Sequence, residues 1–319
     1  FILETLMPDL YSKVIGSGSY LPEKILTNYD LAKIVDTSHD WIFERTGIEQ
    51  RHIASENESS VDMAYKASLK AMSMAQLSPD DIDMIIVATA TPERKFPSTA
   101  VLLQDNLKIE QGFAFDINAA CTGFVYALDI ADKYIQSKVA RNILVVGSEK
   151  MSSLLDWKDR NTCVLFGDGA GAVILSESSK PGILSTNIGS NGSYKDLLTV
   201  NIDPEFIEMK GNDVFKIAVK TMGKLAVSTL EKNNITIDQI DWLIPHQANS
   251  RIINAIAKKI SLPSEKVILT VNKHGNTSAA SIPLAFDDAY HNGSLKEGNL
   301  IMLEAFGAGF TWGSVLLKF

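Results

Sequence analysis

The chain has 319 residues, 45% of them hydrophobic, with 30 basic and 38 acidic side chains and a formal net charge of −8. That length can bury a large core, as one big domain or two packed halves, and the acidic balance argues against generic nucleic-acid binding. No apolar stretch approaches the ~18 residues of a membrane span. Two cysteines, Cys121 and Cys163, are too few for a disulfide framework and suit a reducing, cytoplasmic setting.

Residues 1–10 read as an extension, because Phe1 to Met7 lack a basic leader, a long apolar core and a cleavage site. Met63 to Met74 carries a helical pattern, and Met84 to Ala90 is a buried-strand run. Phe113 to Ile117 leans to strand and feeds the small-residue turn Asn118-Ala119-Ala120-Cys121, ahead of an amphipathic stretch from Phe124 to Tyr134. A thiol at a helix N-terminus has its thiolate favoured by unpaired N–H groups and the helix dipole, so Cys121 is the candidate nucleophile. Cys163 has no such setting and is expected in the core. The glycines of Phe166-Gly167-Asp168-Gly169-Ala170-Gly171 run straight into apolar strand residues, which suits close backbone packing at a turn better than a dinucleotide site.

The second part of the chain echoes the first. Val214 to Leu230 is helical and Trp242 to Ile244 is a strand; aligning Asp83 with Asp241 gives an offset of 158. The same offset carries Leu144-Val145-Val146-Gly147 onto Met302-Leu303-Glu304-Ala305. The pattern predicts two similar α/β halves, 11–178 and 179–319, meeting where Pro181-Gly182 interrupts it. Short apolar strands bounded by helices indicate sheets covered on both faces, hence helices sandwiched between two sheets; a single doubly wound sheet is the alternative.

The offset takes Cys121 to Ala279, beside Asn276, in a segment expected to run strand, polar turn, then helix from Ser278 to Ala289. It takes Ala88 to His246. Cys121, His246 and Asn276 are therefore expected at strand ends facing one shared interface. The other histidines, His39, His52, His274 and His291, are assigned structural or surface places. Their spacings, with no Cys-x-x-Cys, fit no metal site.

The motifs Ala119-Ala120-Cys121-Thr122-Gly123-Phe124, Pro245-His246-Gln247-Ala248-Asn249 and Asn272-Lys273-His274-Gly275-Asn276-Thr277-Ser278-Ala279-Ala280-Ser281 together resemble the β-ketoacyl-acyl carrier protein synthase III family. Gly16 to Pro22, Trp41 to Ile48, Phe166 to Ala170 and Glu304 to Gly313 match the same pattern, so the resemblance runs nearly end to end. It implies a thiolase-like fold, a five-layered αβαβα sandwich of two pseudo-duplicated halves. The implied reaction is decarboxylative condensation of a short acyl-coenzyme A, acetyl-coenzyme A foremost, with malonyl-acyl carrier protein. Cys121 would carry the acyl group, and His246 and Asn276 would donate hydrogen bonds to the malonyl thioester carbonyl. The backbone N–H groups of Cys121 and Ala308 would hold the oxyanion, a role that suits Ala308 only if its φ is negative. By the same resemblance Trp41 and Arg160 sandwich the coenzyme A adenine, Arg45 lies near its phosphates and Asn249 meets the pantetheine arm. Phe96 enters the partner's acyl pocket in a homodimer, and Phe306 lines the chain's own. Lys216, Arg251, Lys258 and Lys259 would dock the acidic acyl carrier protein; a solvated helix face is the plainer reading of those charges. No metal or other cofactor is implied, with the coenzyme A thioester entering as substrate. A ketosynthase of secondary metabolism shares these residues, whereas a papain-like Cys-His-Asn hydrolase has no place for the duplication, and a non-catalytic carrier-binding scaffold would not keep the three residues together.

Overall fold

The computed structural model describes residues 10–319. The expected extension thus lies outside the described residues except for Leu10, which packs against the central core. Nine strands build two sheets. The first contains β1 (Tyr11–Tyr20), β2 (Met84–Ala88), β3 (Phe113–Ile117), β4 (Asn142–Lys150) and β5 (Asp168–Ser178), in the order β1-β5-β4-β2-β3. The second contains β6 (Ile183–Ser190), β7 (Trp242–Pro245), β8 (Leu300–Gly307) and β9 (Thr311–Lys318), in the order β7-β8-β9-β6. In the first sheet β2 pairs in parallel with both β3 and β4, and in the second β7 pairs in parallel with β8. The offset of 158 maps the pair Met84–Ile143 of the first onto Trp242–Ile301 of the second, so the repeat read in the sequence is a repeat of strand register.

The helices arrange themselves around these sheets in layers. Helices α2 (Ser60–Ala75) and α3 (Thr99–Leu107) cover the outer face of the first sheet. Helices α4 (Gly123–Gln136) and α7 (Ser281–His291) lie between the sheets, and α5 (Gly211–Lys232) covers the far face of the second with α6 (Ser250–Lys259) against it. The result is the five-layered sandwich. A preceding helix, α1 (His39–Thr46), belongs to an excursion off the first sheet that packs against α6.

Alternation along the strands explains why they are apolar throughout. Met84 and Ile86 face the inner core, with Phe124, Leu128, Ile282 and Phe286, while Ile85 and Val87 face the outer core, with Ala67, Ala71 and Leu103. Each fully buried aliphatic side chain contributes roughly 1.5–3 kcal/mol. The glycines at 169 and 171 lie within β5 and not in a turn; a Cβ on Gly171 would stand 2.7 Å from the Leu284 backbone of α7. Their close-packing role was legible, their place was not. Cys163 is fully buried in a satellite core with Ile42 and Val271, as expected.

One expected element is absent. The segment before Asn276 is not a strand; Val271–His274 forms a single helical turn, and all that remains of a fifth strand is a bridge between Leu243 and Val267. The buried Gln247 side chain accounts for this. Its Oε1 accepts the N–H groups of Thr270 (2.8 Å) and Val271 (3.2 Å), and its Nε2 donates to the carbonyls of Pro245 and Ile268. Backbone groups that a sheet ladder would use are satisfied by one amide.

Glu304 stands out in β8. It is fully buried, neither carboxyl oxygen has a hydrogen-bond partner, and burial holds its pKa well above the ordinary carboxylate range. The native state therefore holds this proton to higher pH than the unfolded chain does. The stability this contributes is complete at low pH and is lost as pH rises. Glu304→Gln is expected to melt higher than the parent at pH 8, by about 2–4 °C for each kcal/mol relieved, and to melt at the parent's own temperature at pH 4. A gain of the same size at both pH values would contradict this account.

Candidate active site

Strand β3 ends at Ile117, and the turn after it is strained. Ala120 has φ +47°, and the Asn118 Oδ1 accepts the Ala120 N–H at 3.2 Å. A one-turn helix over Ala120–Thr122 then hands the chain to α4. Offset by 158, the second half repeats this in detail: Ser278 has φ +48°, the Asn276 Oδ1 accepts the Ser278 N–H at 2.9 Å, and a turn over Ser278–Ala280 leads into α7. A left-handed residue other than glycine costs roughly 1–2 kcal/mol, and here it occurs at the same point of both halves. Cys121 in one half corresponds to Ala279 in the other. Only one half carries a thiol.

Cys121 sits just ahead of the α4 N-terminus, as the sequence predicts. The expected effect on its ionisation is outweighed. Burial pushes the thiol up to about 12, with the Ser278 hydroxyl pulling it down and the Glu149 carboxylate pushing it further up. Burial therefore favours the thiol over the thiolate in the free protein, against the pull of the helix end. Glu149 is buried beneath the site, its Oε2 accepting from Ala90 N–H (2.9 Å) and the Thr91 hydroxyl (2.8 Å), and burial raises its pKa.

His246 follows the last residue of β7, and its own N–H donates to the Glu304 carbonyl at 2.7 Å. Its Nδ1 lies 2.6 Å from the Ser281 hydroxyl oxygen of α7. Burial lowers its pKa to about 4, so the ring is neutral at physiological pH. Asn276 is pinned on both sides by the segment after Cys163: its N–H donates to the Leu165 carbonyl (2.8 Å) and its carbonyl accepts the Gly167 N–H (3.0 Å). Since Oδ1 is committed to Ser278, the Asn276 amide nitrogen is the end left to face outward. The buried Arg51 holds this segment in turn, with Nη2 donating to the Val164 carbonyl at 2.6 Å.

Cys121, His246 and Asn276 line one cavity of about 470 Å³. Trp41, Arg45 and Asn249 line it as well, together with the apolar side chains of Phe306, Leu198, Met209, Val214 and Met222. Gly307 packs against the backbone at Cys121, where an added Cβ would stand 2.9 Å from the Cys121 nitrogen. Ala308 has no left-handed φ, the next residue Gly309 taking that conformation at +131°, so alanine is unstrained at 308. Among the described residues no cluster of three or more His, Cys, Asp or Glu could hold a metal ion, and no helix is long and apolar enough to cross a membrane.

The fold matches the resemblance and so does the chain as a whole. Its residues 115–192 match the family model for 3-oxoacyl-(acyl-carrier-protein) synthase III, and 230–319 match the model for the C-terminal part of the same family. The chain is 54% identical over 320 residues to the beta-ketoacyl-(acyl-carrier-protein) synthase III of Thioalkalivibrio sulfidiphilus, covering 97% of this chain and 99% of that one. It belongs to the 3-oxoacyl-(acyl-carrier-protein) synthase III family. The crystal structure of the synthase III from Aquifex aeolicus superposes with a TM-score of 0.95 at 51% identity, covering 97% of this chain and 100% of the other. A priming β-ketosynthase from a polyketide pathway superposes at 0.94 with 33% identity, covering 98% of each chain. As a synthase III the chain is a condensing enzyme of the type that initiates fatty-acid synthesis, an acyltransferase of thiolase-like fold.

The remaining expected residues fall in three places. Arg45 lies one helical turn from Trp41 on α1, its guanidinium 4.5 Å from the indole centroid. Arg160 reaches the same indole at 5.1 Å and is tied to the Asp36 carbonyl at 2.9 Å, outside the cavity lining. At that separation a purine does not fit between Trp41 and Arg160, so the two side chains must part to sandwich one. Asn249 caps α6, accepting the Arg251 N–H and donating to the Arg45 carbonyl, which locks α1 to α6. Phe96 lies away from the chain's own cavity, 84% exposed. Lys216, Arg251, Lys258 and Lys259 are exposed on α5 and α6, and Arg251 also lines the cavity mouth beside Phe215. The sequence reading missed Val214, Ala218 and Met222, which line the cavity. Their i, i+4, i+8 spacing on α5 is an apolar stripe, indistinguishable in sequence from one that only packs a core.

Proposed function

We propose that the chain condenses a short acyl-coenzyme A with malonyl-acyl carrier protein through a Cys121 acyl-enzyme, releasing coenzyme A and carbon dioxide. The observation that carries this is the shared cavity, lined by a buried thiol, a neutral imidazole and an amide together with Trp41 and Arg45. In the first half-reaction Cys121 attacks the thioester carbonyl, and the proton it gives up leaves on the coenzyme A thiol. The N–H groups of Cys121 and Ala308 are proposed to hold the oxyanion. In the second, malonyl thioester binds with its carbonyl toward the His246 Nε2 and Asn276 amide protons. Those donors stabilise the enolate left as carbon dioxide departs, and its carbon attacks the acyl group on Cys121. Neither donor has to remove a proton, which suits a ring with a pKa near 4. The reaction so written needs no metal or redox cofactor.

Acetyl-coenzyme A is the proposed primer, because a cavity of about 470 Å³ has to hold the pantetheine arm as well as the acyl group, and Phe306 in its lining is packed on Phe310 at 4.6 Å. A longer or branched primer, as for a priming ketosynthase of secondary metabolism, is the second reading, favoured by the flexible methionines Met209 and Met222 in the lining. Intact-mass spectrometry after incubation with a panel of acyl-coenzyme A thioesters separates the two by the mass that Cys121 acquires. We further propose a homodimer in which the exposed Phe96 enters the partner's cavity, and a cytoplasmic location where both thioester substrates are made.

Acyl carrier protein is proposed to dock on Lys216, Arg251, Lys258 and Lys259, none of which is in an ion pair among the described residues. Since Arg251 also borders the cavity, Lys258 is the cleaner probe. Lys258→Glu is expected to raise the KM for malonyl-acyl carrier protein by about 10-fold, chiefly through association rate, with coenzyme A priming unchanged. Equal loss in both half-reactions would count against the surface.

A further inference from the structure

We infer that Ser281 is a positioning residue for His246, holding the imidazole with its proton on Nε2. The Ser281 hydroxyl is buried, its oxygen 2.6 Å from His246 Nδ1 and accepting the Gln247 N–H at 3.2 Å. Two arrangements of protons are open. If Nδ1 carried the proton, the Ser281 oxygen would accept two N–H bonds and its own proton would have no hydrogen-bonded acceptor among the described residues. If Nδ1 carries the lone pair, the hydroxyl donates to it, the oxygen takes the Gln247 N–H, and both protons at the Ser281 oxygen are used. The second arrangement puts the remaining ring proton on Nε2, the nitrogen that faces away from Ser281.

The repeat supplies an independent argument. Offset by 158, the His246–Ser281 pair corresponds to Ala88 and Gly123 of the first half. That pair occupies the same strand-end to helix-start contact, where a Cβ on Gly123 would stand 3.0 Å from the Ala88 Cβ. Where the strand ends in a methyl group the helix start has no side chain at all; where it ends in an imidazole the helix start offers a hydroxyl. The two positions differ between the halves as a pair, so the serine at 281 follows the histidine and is not a general requirement of the α7 start.

The inference rests on the proposed role of His246 as a donor to the malonyl thioester, and its test reads the ring directly. In protein labelled with nitrogen-15 in histidine, two-bond proton–nitrogen correlations at pH 7 are expected to show the Nε2–H tautomer for His246, and a tautomer mixture in Ser281→Ala. Ser281→Ala is further expected to lower malonyl-acyl carrier protein decarboxylation about 10- to 100-fold, since losing tautomer control of a catalytic histidine is known to be severe. Acetylation of Cys121 by acetyl-coenzyme A is expected to stay within about two-fold of the parent, and Ser281→Thr, which keeps the hydroxyl, to restore decarboxylation. An Nδ1–H spectrum in the parent overturns the inference, as does a Ser281→Ala variant whose two half-reactions fall together. A parent that decarboxylates no malonyl thioester would instead sink the proposed function, while the tautomer is decided by the spectrum alone.

Discussion

Replacing Cys121 by alanine is expected to abolish condensation, by roughly 10⁴–10⁶-fold, the scale on which loss of a covalent nucleophile is felt. The intact mass should then stay unchanged after incubation with acetyl-coenzyme A, where the parent gains one acetyl group. Cavity and fold should survive the change, because Cys121 contributes a small buried side chain at a turn already fixed by Asn118 and Ala120. The burial that pushes this thiol to about 12 adds a pH signature. Alkylation of the free protein by a small reagent should be slow at pH 7 and still rising at pH 9, since the thiolate fraction grows tenfold per unit below the pKa. Condensation by Cys121→Ala at parental rates, or rapid alkylation that levels off near pH 7, would remove the nucleophile from the account.

His246→Ala and Asn276→Asp should each lower the decarboxylation half-reaction by about 10²–10³, the cost of one preorganised donor to a developing oxyanion. Both should leave acetylation of Cys121 nearly untouched, because neither side chain is asked to handle the thiol proton. Asn276→Asp is the sharper case. It keeps the shape, lets the carboxylate still accept the Ser278 N–H, and turns the outward-facing donor into an acceptor. The pH profile follows from His246. With a pKa near 4 the ring is neutral in folded protein from pH 5 upward, so decarboxylation by acetylated enzyme should be flat between pH 5 and pH 8. A step near pH 6.5 would mean an ordinary, solvated histidine. The same depressed pKa makes the native state lose stability as pH falls below about 6.5, where the unfolded chain takes up a proton that the buried ring refuses until about pH 4.

Much of the site was legible because it lies on repeated local patterns. Asn118 and Asn276, Ala120 and Ser278, Cys121 and Ala279 are pairs at one offset, and each pair behaves alike in backbone geometry. The pattern misled where a single side chain replaced a ladder: Gln247 satisfies the backbone around Thr270, and the strand expected there becomes a helical turn. It was incomplete for the cavity lining, because Val214, Ala218 and Met222 form the same stripe whether they face a core or a substrate. It erred on the ionisation of Cys121, since a helix start is visible in sequence and the depth of burial is not.

By itself the order of residues determined the duplication, the apolar strands that both sheets bury, and the chemical kinds of group at each strand end. These are consequences of short-range periodicity and turn chemistry, which neighbouring residues set among themselves. Only the tertiary structure decided that a thiol, an imidazole and an amide from distant segments share one cavity, that a serine hydroxyl meets the imidazole Nδ1, and in which direction burial shifts the ionisation of the thiol and the imidazole. Those properties depend on what lies across the interface between the halves, on contacts such as Ser281 with His246 and Leu165 with Asn276, and no local pattern encodes the dielectric that such contacts create.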